Sequence, residues 1–230
     1  MRARHIGIVA CSAEGAALCY RTICREGEKS LGRHAHPEVS LHNYPLSEYM
    51  PYIEAGKWEK VAELMLGSAE KLARMGAEFL ISPDNTIHQA FGWVIPKSPL
   101  PWLDIVEEVA AEAKRQSFRR VAVLGTRSTM EGPVYPEKLA AAGMEYRVPP
   151  ASERERLDRI IFDELVEGIL KPESRQYYVT VIERLRGEGC DAVALGCTEI
   201  PLLVTPEFSP LPVLDSTLLL ARAALGRSLA

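Results

Sequence analysis

The sequence predicts an α/β protein made of two pseudo-symmetric domains, and three observations support this fold class. Short apolar runs, which suit buried parallel strands, are separated by longer segments with helical spacing. The resulting β-α-β-α alternation indicates a parallel sheet flanked by helices. Several segments of the first half also recur in the second half, in the same order.

The alternation predicts four strands and four long helices. The strands are placed at 5–10, 78–82, 120–125 and 191–195, and the helices at 58–75, 104–115, 155–170 and 175–187. Proline-rich segments at 96–101 and 206–212 interrupt the alternation. These two segments are natural places for the chain to pass from one domain to the other.

Three pairs of similar segments predict an internal duplication. The pairs are 6–10 with 121–125, 76–80 with 189–193, and 98–104 with 209–215, at nearly constant shifts of 115, 113 and 111 residues. The third pair contains the two Ser-Pro-Leu-Pro segments, which we interpret as crossovers. One domain is therefore predicted at 1–98 plus 210–230, and the other at 99–209.

Small and polar residues follow each of the four predicted strands. In parallel α/β sheets, ligands bind at the carboxyl ends of the strands, so these loops are candidates for the active site. The 113-residue shift superposes Asp84 on Cys197. If the two domains face each other, the loops surround one cleft, and Asp84 and Cys197 stand on its opposite walls.

A carboxyl group and a thiol on opposite sides of one carbon suit inversion of that carbon. One group removes the α-proton and the other delivers a proton to the far face. Asn85, Thr86 and Thr198 are predicted to donate hydrogen bonds to the substrate carboxylate. Two simpler interpretations stay open, in which Cys197 is a small buried packing residue and Asp84 caps a helix.

Several motifs resemble those of the aspartate/glutamate racemase family. Residues 196–203, Gly-Cys-Thr-Glu-Ile-Pro-Leu-Leu, resemble its second cysteine motif, and residues 124–131 look like its Gly-Thr-x-x-Thr-Met loop. Residues 161–165, residues 213–217 and the sequence Asn85-Thr86-x-His88 also fit. The resemblance covers essentially the whole chain.

This resemblance implies two pseudo-symmetric three-layer α/β domains with parallel sheets and an active site in the cleft between them. It implies an amino-acid racemase that uses neither pyridoxal phosphate nor a metal, acts on an amino acid or dicarboxylate, and forms a homodimer. Asp84 and Cys197 are the implied catalytic residues. The implied substrate-binding residues are Cys11, Ser12, Asn85, Thr86, Thr126, Thr198 and Glu199.

The chain departs from the family pattern at two places. The family usually has Cys-Asn-Thr where this chain has Asp84-Asn85-Thr86, and its glycine-rich first loop is replaced by residues 10–15, which include Cys11. Cys11 either packs in the core or takes the place of the lost thiol. The departures leave two other functions open: a single-cysteine decarboxylase or isomerase of the same superfamily, and a catalytically degenerate amino-acid-binding protein.

Composition restricts the other classes of function. The formal charge of −4 argues against nucleic acid as the main partner. No apolar run is long enough for a membrane span or a signal peptide, so a cytoplasmic location is expected. The five cysteines are an odd number and include no CxxC pair, so neither a disulfide framework nor a structural zinc site is predicted. His34, His36 and His42 are interpreted as loop residues and not as metal ligands.

Overall fold

Two parallel β-sheets, one in each half of the chain, organise the computed structural model, which describes residues 2–230. The chain divides into two units. The first contains the residues up to Glu108 together with Thr217–Ala230, and the second contains Val109–Ser216. The predicted fold class is confirmed. The predicted domains, 1–98 plus 210–230 and 99–209, stay a prediction.

The first unit has a three-stranded parallel sheet in the order β2-β1-β3. Its strands are β1 (Ile6–Ala10), β2 (Val39–Asn43) and β3 (Phe79–Ile81). A parallel bridge between Leu80 and Trp102 continues the sheet beyond β3. The helices are α1 (Ala13–Leu31), α2 (Leu46–Glu54), α3 (Trp58–Arg74), a 3₁₀-helix at Thr86–Ala90, α4 (Phe91–Val94) and a second 3₁₀-helix at Ile95–Lys97.

The second unit has a four-stranded parallel sheet in the order β5-β4-β6-β7. Its strands are β4 (Arg120–Gly125), β5 (Glu145–Arg147), β6 (Ala192–Gly196) and β7 (Val213–Asp215). Its helices are α6 (Arg127–Glu131), α7 (Val134–Ala141), α8 (Ala151–Ile160), a π-helical turn at Ile161–Leu165, α9 (Pro172–Gly187) and α10 (Ile200–Leu203). Helix α5 (Ile105–Arg115) crosses the first boundary between the units, and α11 (Ser216–Leu229) begins at the second.

Strand pairing is equivalent in the two units, at positions that the sequence repeat relates to each other. Ile6 pairs with Phe79 in the first sheet, and Val121 pairs with Ala192 in the second, at the shifts read from the sequence. The Ser-Pro-Leu-Pro segments fold alike as well. Ser98 Oγ donates to the Leu100 carbonyl at 2.8 Å, as Ser209 Oγ does to the Leu211 carbonyl at 2.7 Å. The two units are thus built on one pattern.

Helix α3 covers one face of the first sheet. Val9 of β1 and Cys11, which directly follows the strand, share a buried apolar cluster with α3 and with Tyr49 of α2. Strands β1, β3 and β6 are buried along their whole length. Burial on both faces explains why these strands read as continuous apolar runs.

One predicted helix is shorter than expected. The segment 155–170 was predicted as a single helix, but α8 ends at Ile160 and passes into the π-helical turn. Gly168, with φ of +72°, then reverses the chain, because this left-handed conformation is open to glycine. No helix of residues 2–230 is long and apolar enough to cross a membrane.

Replacing Gly125 with alanine is expected to destabilise the second unit by about 1–3 kcal/mol. The added Cβ would lie 2.9 Å from the Gly196 carbonyl oxygen of the neighbouring strand and 3.0 Å from Thr129 Cγ2. Urea unfolding followed by circular dichroism measures the change. Gly187→Ala is the matched control, since its Cβ meets open space in α9 and alanine favours the helix. Equal stability of the two variants would contradict the close packing at Gly125.

Candidate active site

In the first unit, two loops with predicted site residues leave the same edge of the sheet. β1 and β3 are adjacent and parallel, so their carboxyl ends lie side by side. Cys11 and Ser12 follow β1, and residues 84–86 follow β3. Cys11 is 1% exposed and belongs to the core cluster, and this burial favours its packing role.

Asp84 caps the short 3₁₀-helix that begins after it. Its Oδ1 accepts hydrogen bonds from the backbone N–H groups of Thr86 at 3.0 Å and Ile87 at 3.4 Å. The carboxyl group is half-buried. The capping interpretation is therefore observed, and it also holds the carboxylate in one orientation.

His88 anchors the loop that carries Asp84. The fully buried imidazole bonds the Ser82 carbonyl through Nε2 at 3.1 Å, and its Nδ1 lies 3.4 Å from Asp104 Oδ1. Phe91 stacks on the ring, with the centroids 4.0 Å apart. Residues 82–88 are thereby fixed against the start of α5, where Asp104 Oδ1 accepts from the Val106 N–H at 2.8 Å.

Tyr49 is a residue of this site that the sequence did not reveal. It is completely buried on α2, and burial is the main cause that raises the pKa of its phenol. Negative charge on Cys11 and on Asp84 raises this pKa further. Tyr49 and Cys11 belong to the same buried cluster. No sequence pattern distinguishes Tyr49 from any other core tyrosine.

In the second unit, Cys197 follows β6 and bonds to a buried carboxylate. Its Sγ lies 2.9 Å from Glu199 Oε2, to which the thiol donates, and the Thr198 hydroxyl donates to the same oxygen at 2.9 Å. Glu199 is 4% exposed. A proton can therefore pass between the sulfur and the carboxylate through a direct hydrogen bond.

A second buried tyrosine lies near this thiol. Burial raises the pKa of Tyr178 well above its usual value, and negative charges on Cys197 and Glu199 are among the further causes. Its hydroxyl donates weakly to the Leu157 carbonyl at 3.4 Å. Tyr178 belongs to the buried apolar cluster against which Cys197 packs.

Thr126 follows β4 and caps α6. Its Oγ1 accepts from the Thr129 N–H at 3.2 Å. β4 and β6 pair in parallel up to Gly125 and Gly196, so Thr126 and Cys197 leave the sheet at the same edge. The residues predicted at this edge, Thr126, Cys197, Thr198 and Glu199, come together in the second unit.

Asp84 and Cys197 hold equivalent places in their own sheets. Asp84 lies five residues after Phe79, and Phe79 pairs with Ile6 of β1. Cys197 lies five residues after Ala192, and Ala192 pairs with Val121 of β4. Each unit therefore carries one candidate proton-transfer group at the same point of its fold.

Among residues 2–230, no group of three His, Cys, Asp or Glu side chains could hold a metal ion.

Comparison with known proteins identifies relatives along the full chain. Residues 6–224 match the family model described as Asp/Glu/hydantoin racemase. A Yersinia pestis protein assigned as an Asp/Glu racemase is 32% identical, with a TM-score of 0.91, over 99% of this chain and 100% of that one. An aspartate racemase homologue from Pyrococcus horikoshii is 29% identical, with a TM-score of 0.85 and the same coverage.

A curated relative is the broad specificity amino-acid racemase of Bacillus subtilis. It is 24% identical over 176 residues, which cover 75% of this chain and 74% of that protein. The predicted family and the predicted enzyme class, an isomerase of the amino-acid racemase type, are confirmed. The chain belongs to the Asp/Glu/hydantoin racemase family.

Proposed function

We propose that this protein is a cofactor-independent amino-acid racemase in which Asp84 and Cys197 exchange protons with the α-carbon. The hydrogen bond from Cys197 Sγ to Glu199 Oε2, at the end of β6, is the observation that carries this proposal. A thiol that is hydrogen-bonded to a carboxylate thus lies at the position of the family's second cysteine motif. The equivalent position in the other sheet holds Asp84, a group that can also take and give a proton.

In one direction, Asp84 as the carboxylate removes the α-proton, and the Cys197 thiol delivers its proton to the opposite face. This step leaves Asp84 protonated and Cys197 as a thiolate, which are the forms that the reverse direction needs. In the other direction the roles reverse. The mechanism requires both groups to reach one α-carbon from opposite sides.

The planar intermediate carries negative charge on its carboxylate and needs donors that are fixed in advance. We assign this role to Ser12, Asn85, Thr86, Thr126 and Thr198, which lie at the two sheet edges. Thr126 and residues 84–86 are held by the caps described above. Cys11 packs with Tyr49 in the buried cluster, and in this proposal it supports the substrate-binding loop without touching the substrate.

Isotope exchange tests the proposal directly. The protein is incubated in deuterated water with a panel of L- and D-amino acids that includes aspartate, glutamate and neutral residues. Loss of the α-proton NMR signal together with inversion, measured by chiral chromatography, is the expected result for at least one pair. Silence across the whole panel would refute a racemase, and binding without exchange would identify an amino-acid-binding protein instead.

One observation favours a second candidate, a single-thiol enzyme. Asp84 Oδ1 already accepts two backbone hydrogen bonds, a use that does not need proton transfer. A decarboxylase that protonates one face, or a cis–trans isomerase, needs Cys197 alone. Release of CO₂ from a substituted malonate, or isomerisation of maleate, without α-proton exchange of amino acids, would support this alternative.

The remaining expectations concern partners and location. We infer a small amino acid or dicarboxylate as the substrate, a homodimer as the assembly, and the cytoplasm as the location. Light scattering of the purified protein tests the dimer, since the monomer has a mass of 25.5 kDa.

A further inference from the structure

Two side chains donate to the same carboxylate oxygen directly after β6. Glu199 Oε2 accepts from Cys197 Sγ at 2.9 Å and from the Thr198 hydroxyl, also at 2.9 Å. Glu199 and Thr198 are both buried, so these two donors take the place of the water that would surround an exposed carboxylate. We call Cys197 and Glu199 the thiol–carboxylate pair.

The charged side chains next to α10, the helix that follows the pair, are bound elsewhere. Arg175 of α9 donates to the Leu203 carbonyl at 2.9 Å, and Glu164 of the π-helical turn forms an ion pair with Lys171 at 3.2 Å. Over residues 2–230, Glu199 itself forms no ion pair. The other ionisable groups near this end of β6 are Asp158 and Tyr178.

The thiol–carboxylate pair holds one proton between its two groups. Two negative charges 2.9 Å apart in a buried site repel each other strongly, so the thiol and the carboxyl group do not ionise together. A carboxyl group is a far stronger acid than a thiol, so the shared proton rests on sulfur and the negative charge rests on the carboxylate. The pair therefore titrates as a unit.

We propose that Glu199 is a positioning residue that keeps Cys197 protonated, and holds its sulfur in one orientation, until the substrate arrives. This role differs from the substrate contact that the family resemblance implies for Glu199. Its consequence for catalysis rests on the proposed function. The resting enzyme has a thiol ready to deliver a proton, so it reacts first with the enantiomer whose α-proton faces Asp84.

The pH dependence of Cys197 alkylation tests this inference without turnover. Iodoacetamide reacts with the thiolate, and mass spectrometry of the peptide that contains Cys197 gives the rate at each pH. Glu199→Gln keeps the size of the side chain and an oxygen that can accept from Thr198, but it removes the charge. The midpoint of the Cys197 profile is expected to fall by about 1 pH unit, which makes alkylation about 10-fold faster at neutral pH.

Two controls accompany this variant. Glu207→Gln removes an exposed carboxylate shortly after α10 and should leave the Cys197 profile unchanged. Cys24 of the same protein, on α1, should react equally in wild type and in Glu199→Gln. A Cys197 profile that is the same in wild type and in folded Glu199→Gln overturns the inference.

Infrared spectroscopy provides a second measurement if Glu199→Gln does not fold. The S–H stretching band of Cys197 is assigned by its loss in Cys197→Ser. Wild-type protein is expected to show this band at neutral pH, at a lower frequency than in urea-unfolded protein, because a hydrogen bond to a carboxylate weakens the S–H bond. A missing band, or a band at the frequency of the unfolded protein, contradicts the role of Glu199.

The outcome is separate from that of the proposed function, because both measurements use the free protein. A protein that shows the expected profile and band but never exchanges an α-proton retains the thiol–carboxylate pair and refutes the racemase. A protein that racemises an amino acid while Cys197 is a thiolate at neutral pH does the reverse.

Discussion

Replacing Cys197 with serine is expected to reduce α-proton exchange and inversion at least about 100-fold. Serine has nearly the same shape and can still donate to Glu199, so the loop after β6 should fold unchanged. A hydroxyl is a far weaker acid than a thiol, and it therefore cannot cycle between donor and acceptor at working pH. Exchange and inversion are measured separately, by NMR and by chiral chromatography.

Cys24→Ser is the matched control for this variant. Cys24 is a half-buried thiol on α1, roughly 18 Å along the helix axis from Ser12 at its start. Its activity should equal that of the wild type. A Cys197→Ser protein that turns over at the wild-type rate would show that Cys197 carries no proton.

The Asp84→Asn variant is expected to lose at least about 100-fold in activity while its stability changes little. Asparagine retains a side-chain oxygen that can accept from the Thr86 and Ile87 N–H groups, and the two residues are nearly equal as caps. The substitution removes only the ability to take a proton. Denaturant unfolding and exchange rates measured on the same preparation separate the two roles of Asp84.

Two further substitutions at this position complete the test. Asp84→Ala should lose both activity and about 1 kcal/mol of stability, because the cap is removed. Asp84→Cys places a thiol where the family usually has one, and it should recover activity that Asp84→Asn lacks. An Asp84→Asn protein with full racemase activity would leave Asp84 as a cap alone and would favour single-thiol chemistry.

The two variants together discriminate one-sided from two-sided proton transfer. If both residues exchange protons, each single variant stops inversion. If only Cys197 does so, Asp84→Asn retains the reaction and Cys197→Ser abolishes it. A test of both variants against amino acids and malonates therefore separates the racemase from its nearest alternative.

The sequence by itself determined the fold class, the duplicated plan and the loops that carry the candidate site. Strand burial is encoded locally in apolar runs. The repeat shifts relate Ile6 and Phe79 of one sheet to Val121 and Ala192 of the other, and each of these pairs is joined in the same way. Family motifs such as residues 196–203 are also local in the chain. Each of these features can be read within a few consecutive residues or from a constant spacing.

Tertiary structure alone decided which side chains act on one another. Tyr49 of α2 and Cys11, which follows β1, are far apart in sequence, and the packing of α2 on α3 and of α3 on β1 brings them into one buried cluster. His42 looked like a loop residue because β2 is half-exposed and lacks a continuous apolar run. Hydrogen-bond partners depend on directions and distances of a few ångströms, which no pattern of residue types specifies.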